Sequence, residues 1–159
     1  MALTDIREQI AAILAAVDGA GVVHQYQRAT AGDWGKFLNL FQDADGKINT
    51  CMISRTDTAQ QKVTMGEKEL AHIFTLRFYY GLRDEQATEL TFQEMLENVR
   101  EAFNESETLN DTCLTTIPDW GPMNGVAGLQ IGGVSIRFFG NVLCHYAECR
   151  LCALDREED

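Results

Sequence analysis

Residues 142–152, VLCHYAECRLC, place Cys144, His145, Cys149 and Cys152 within nine positions. Thiols and an imidazole so close together are the ingredients of a zinc site or a redox pair. Which chemistry is open to them depends on the backbone beneath. On a helix or turn Cys149 and Cys152 are neighbours and make a Cys-x-x-Cys half-site. On a strand they point to opposite faces with Cα atoms about 10 Å apart, beyond the roughly 7 Å ceiling for a disulfide. Cys144 and Cys152 would share a strand face, but roughly 26 Å apart along an extended chain. No glycine or proline loosens the segment and no second half-site exists. Cys51 and Cys113 are isolated, and His24 and His72 lie in strand-like runs. The expectation is a strand that uses cysteine as a small apolar residue, with no metal or cofactor site.

The other spacings that suggest chemistry are weaker. Asp43-Ala44-Asp45-Gly46 opens like a calcium loop, but Ser54 stands where the bidentate glutamate belongs, so a hairpin turn is expected. Cys144 and His145 are adjacent and therefore on opposite strand faces, which prevents a nucleophile–base pair. Neither Gly-x-Ser-x-Gly nor His-Glu-x-x-His occurs. Gly125-Val126-Ala127-Gly128 and Gly132-Gly133 lack the lysine and hydroxyl of a phosphate loop; Gly132-Gly133 reads as a bulge. The chain is expected not to be an enzyme.

The elements that hold these residues belong to an ordinary globular chain. It has 159 residues, 45% hydrophobic and 23% charged, the size of one domain with one core. Its formal net charge of −11, with lysine and arginine scattered singly, argues against tight nucleic-acid binding. The first residues carry no basic region followed by an apolar run, and no segment is long and apolar enough for a membrane span. A cytoplasmic site of synthesis follows, with its five cysteines reduced.

Ile6, Ile10, Ile13, Leu14 and Val17 recur on one helical face behind a cap at Thr4 or Asp5. Residues 22–28 read as a short strand. Trp34, Phe37, Leu38 and Phe41 fit either helix or strand, and a hairpin into residues 47–55 is preferred. In residues 72–80 Phe74, Leu76, Phe78 and Tyr80 alternate cleanly, marking a central strand. Asp84 is expected to cap a second helix whose stripe is Ala87, Thr88, Phe92, Met95, Leu96, Val99 and Phe103. A loop over residues 109–126 precedes a hairpin of residues 129–138 and 142–154. Residues 1–154 thus form one α+β domain, an antiparallel sheet with an N-terminal helix and a second long helix packed on it and a C-terminal β-hairpin. Residues 155–159 are expected to be a frayed acidic tail, and Glu94, Glu97 and Glu101 an exposed helix face.

This order of elements resembles the tail-terminator (tail-completion) proteins of long-tailed bacteriophages. The text that carries the resemblance is Ile6-Arg7 through Ile13-Leu14 with Gly21-Val22-Val23-His24, then HIFTLRFYYGL from His72, Leu90-Thr91-Phe92-Gln93, and FFGNVLCHYAE from Phe138. The resemblance implies a structural virion protein without catalytic residues: a subunit of a hexameric ring that caps the tail tube, stops its polymerisation and provides the joint to the head connector. The implied partners are other copies of itself, the tail tube protein and the head–tail connector, with DNA passing through the channel without specific binding and no membrane contact. The implied location is the virion tail or neck, reached from the host cytoplasm. Another neck protein of the same assembly is one alternative, and a small cytoplasmic metal- or thiol-dependent protein using Cys144, Cys149 and Cys152 is another. Interface candidates are Trp34, Phe37, Trp120, Phe138, Phe139, Arg77 and Arg137, types that concentrate binding energy. Core packing competes evenly with that role for the two tryptophans and is favoured for Phe138.

Overall fold

A computed structural model describes residues 3–26, 41–42, 47–139 and 142–158, with Asp84 and Phe139 described by their backbone alone. The elements follow the order α1 (Leu3–Ala15), β1 (Val22–His24), β2 (Asn49–Thr64), β3 (Glu67–Gly81), a 3-10 turn (Asp84–Gln86), α2 (Thr88–Asn104), β4 (Gln130–Phe139) and β5 (Val142–Glu158). The fold is α+β. The strands make one sheet in the order β1-β2-β3-β5-β4, antiparallel except where β1 lies parallel to β2.

Both helices pack on one face of the sheet. The i, i+4 spacing of Ile6, Ile10 and Leu14 buries all three, and Phe92, Met95, Leu96, Val99 and Phe103 do the same for α2. They meet Cys51 and Ile53 of β2, Phe74, Leu76 and Phe78 of β3, and Ala147, Cys149 and Leu151 of β5 in one continuous cluster. Period-2 strands and period-3.6 helices thus present matching apolar surfaces, as a two-layer domain requires. The opposite sheet face carries two smaller clusters. Phe41, Ile48, Met52 and Cys144 form one, and Ala71, Ile73, Met123, Cys152 and Leu154 the other, beneath the 109–126 loop.

Several boundaries differ from expectation, each for a local reason. The helix α1 already begins at Leu3, so Thr4 and Asp5 sit in its first turn, where the Asp5 carboxylate suits the positive helix end. Asp84 opens the 3-10 turn, and Ala87, in the left-handed region, precedes α2 without a side-chain cap. Of the strand expected over residues 22–28, β1 covers Val22–His24, held by Thr50 Oγ1 donating to the Val22 carbonyl and Asn49 Nδ2 to that of Gly19, while residues 27–28 lie outside the described residues. Gly21 is required there, because a Cβ at that position would overlap the Asn49 carbonyl.

The strands β2 and β3 are much longer than their apolar runs. They pair from Asn49–Tyr80 to Thr64–Glu67, so the polar residues 56–64 form an arm. The expected frayed tail is strand: Asp155 to Glu158 pair with Leu70 to Glu67, and Asp155 is buried. Of the expected hairpin into residues 47–55, Gln42 bridges Ile48 antiparallel, but Phe41, which is buried, is helical and not strand. Trp34, Phe37, Leu38 and the 43–46 turn lie outside the described residues.

Candidate functional site

The cysteine-rich segment is strand throughout, as parity along it requires. Cys149 belongs to the helix-side cluster, Cys144 and Cys152 to separate clusters on the reverse face. All five cysteines are free and buried. Burial pushes the Cys149 thiol up to about 12 and those of Cys144 and Cys152 up to about 11. It raises Cys113 to about 12, and Cys51 well above its ordinary value. Nucleophilic or metal-binding work needs the thiolate, and none of these surroundings favours it. No group of three His, Cys, Asp or Glu residues among the described residues is placed to hold a metal ion.

The two buried histidines have structural partners. His145 Nε2 shares a hydrogen bond of 2.8 Å with Thr88 Oγ1, and its ring stacks on Phe92, which stacks in turn on Tyr80. This ties the start of α2 to β5. His72 Nδ1 lies 3.1 Å from Thr58 Oγ1 across the β2–β3 arm. Burial lowers its pKa, partly opposed by the carboxylate of Asp155.

Charge is distributed unevenly between the two layers. The helices and their ends carry Asp5, Glu8, Glu89, Glu94, Glu97, Glu101 and Glu105, all exposed, against Arg7 and Arg100. Arg100 is bound to Glu97 at 2.8 Å. The reverse sheet face holds Arg77, Arg137 and Arg150 between its two apolar clusters. Register fixes this placement, since Arg137 opposes Cys144, Arg77 opposes Glu148, and Arg150 lies between Thr75 and Gln130. Arg77 pairs with Glu148 at 3.5 Å, and the Arg137 guanidinium lies 4.2 Å from the centre of the Tyr146 ring, a cation–π contact. Arg150 makes no ion pair among the described residues.

The sheet ends in β4, whose outer edge has no strand beside it among the described residues. Val134, Ile136 and Phe138 project from one face of it at 44%, 57% and 71% exposure, and Leu143, opposite Phe138, is 39% exposed. Ile131, on the same strand, packs against the helix-side core. The cover of the helices therefore stops between Ile131 and Ile136, and Phe138, favoured for the core by its sequence context, lies in solvent. Backbone left unpaired among the described residues thus lies beside a row of apolar side chains, the combination on which strand addition to a sheet edge depends. No family model matches the chain, and no curated protein matches it significantly.

The remaining interface candidates divide. Trp120 is partly buried: its Nε1 donates to Glu69 Oε1 at 2.6 Å and its ring packs on the cluster under the loop. Arg77 is half-buried in its ion pair, and Arg137 is exposed. Trp34 and Phe37 lie outside the described residues, as does the side chain of Phe139. Sequence reasoning missed Arg150 as a member of the arginine strip, and Val134, Ile136 and Leu143 as parts of the exposed patch. Alternation along β5 places Arg150 on the same face as Glu148, but only the pairing of β5 with both β3 and β4 brings the three arginines together.

Proposed function

We propose that this chain is a structural virion protein, a subunit of a hexameric ring that caps the tail tube of a long-tailed bacteriophage, stops its polymerisation and joins it to the head connector. The observation that carries the reading is the β4 edge, without a neighbouring strand among the described residues, with Val134, Ile136, Phe138 and Leu143 exposed beside it. An acidic chain of this size gains nothing from such a surface in isolation, whereas an assembly subunit uses it as a contact. The order of elements that prompted the resemblance supports the reading too. So does the formal net charge of −11, which would repel DNA passing through a central bore instead of holding it.

The test is imaging. Purified chain mixed with tail tubes that lack it is viewed by negative stain, alongside native mass measurement of the chain alone. Six-fold rings at one end of the tubes, with tube length no longer growing, are the expected result. A chain that stays monomeric at high micromolar concentration and leaves the tubes undecorated and growing would overturn it.

A further inference from the structure

We propose that copies of this chain associate front to back: the arginine strip on the reverse sheet face of one copy receives the carboxylate stripe of α2 from the next. The proposal rests on the ring reading and names the contact that would close the ring. Glu94, Glu97 and Glu101 of α2 and Glu105, which caps its C-terminus, fall within one arc, all exposed, and span about 17 Å along the helix axis. The strip runs from Arg137, level with Cys144, to Arg150, about 20 Å of strand. The two patches match in length and are opposite in sign.

They lie on opposite layers of the subunit, so one copy cannot bring its own two patches together. Only a second copy can, and the contact is then between unlike surfaces, which generates a ring or a helix. At a net charge of −11 copies repel on average, and the arginine strip is where an approaching acidic surface meets attraction. The arginines are partly organised in advance: Arg137 is held over Tyr146, Arg77 beside Glu148, and Arg150 keeps its donors available. Planar guanidinium groups suit carboxylates in paired hydrogen bonds.

The test is a charge swap. One protein carries Arg137→Glu and Arg150→Glu. The other carries Glu94→Lys, Glu101→Lys and Glu105→Lys, which leaves the Glu97–Arg100 pair intact. Circular dichroism and thermal melting establish that both remain folded. Each alone should self-associate at least about tenfold more weakly than wild type, and an equimolar mixture should assemble again, because alternation restores opposite signs at every contact. Wild-type association should also weaken as salt rises.

Rings that form unchanged from either altered protein, alone or on tail tubes, would overturn this contact and leave the ring reading standing. So would two folded proteins that fail both separately and together. Duplex DNA held by the wild type and lost with Arg137→Glu and Arg150→Glu, while self-association is unaffected, would reassign the strip to phosphate contact. No ring from the wild-type chain under any of these conditions would overturn both the contact and the reading it rests on.

Discussion

Ile53, Leu76 and Cys149 lie side by side across β2, β3 and β5 beneath the helices, each fully buried. One residue along the same strands, on the reverse face, the corresponding row is Met52, Arg77 and Glu148, of which only Met52 is buried. The first row supplies the cohesion of the domain, since each side chain removed from water there is held by both layers. The second is shielded at its β2 end and charged in the middle, so its arginine and glutamate add little to folding and remain able to meet another molecule. A single strand such as β5 thus serves two purposes, divided by the parity of its residues.

Substitutions at the two rows should separate those purposes. The largest effect is expected beneath the helices, where Leu76→Ala leaves a cavity among fully buried neighbours. It should cost about 2–5 kcal/mol of stability, measured by urea or guanidinium denaturation. Next comes Gly21→Ala, whose added methyl collides with the Asn49 carbonyl. A loss of about 1–3 kcal/mol is expected, with early hydrogen exchange in β1 and the start of β2.

A smaller effect is expected at His72, which burial holds below its ordinary value of 6.5. Above pH 6.5 the ring is neutral in both folded and unfolded chains and costs nothing. Below it the unfolded chain takes up the proton first, so stability falls as pH falls. Melting temperatures between pH 7 and 5 should therefore decline less steeply in His72→Gln than in wild type, and an identical slope would remove His72 as the cause. The smallest effect on folding is expected at the solvent-facing patch. Phe138→Ser should change stability by no more than about 0.5 kcal/mol, while analytical ultracentrifugation should show weaker self-association.

Much of this division was legible beforehand. The alternation of Phe74, Leu76, Phe78 and Tyr80 and the helical spacing of Ile6, Ile10 and Leu14 record burial directly, because the same apolar period that marks an element also packs it. Strand parity likewise separated Cys149 from Cys152 without any structure. The arm over residues 56–64 was not legible: Thr-Asp-Thr-Ala-Gln-Gln-Lys-Val-Thr carries no apolar period, and its strand form comes from backbone pairing with β3. Residues 155–158 were obscured in the same way, their charges reading as solvated tail while their backbone completes the ladder. Phe138 is an interface candidate for which core packing is favoured by sequence, and it is that preference which its exposure overturns, because a sequence pattern does not show where the helices above a sheet face end. The arginine strip needed long-range register, which a single sequence does not carry.

The interruption in β4 has a mechanical meaning of its own. Between Gly132 and Ser135 the pairing with β5 slips register, and Gly133 takes a φ of +61°, a conformation that suits glycine. Beyond that kink the described regular edge runs from Ser135 to Phe139, about 17 Å of strand. The kink therefore sets a limit on one side: a straight strand laid along this edge from Phe139 would lose its alignment at Ser135. A kinked, shortened edge is one of the devices by which a sheet limits edge-to-edge pairing.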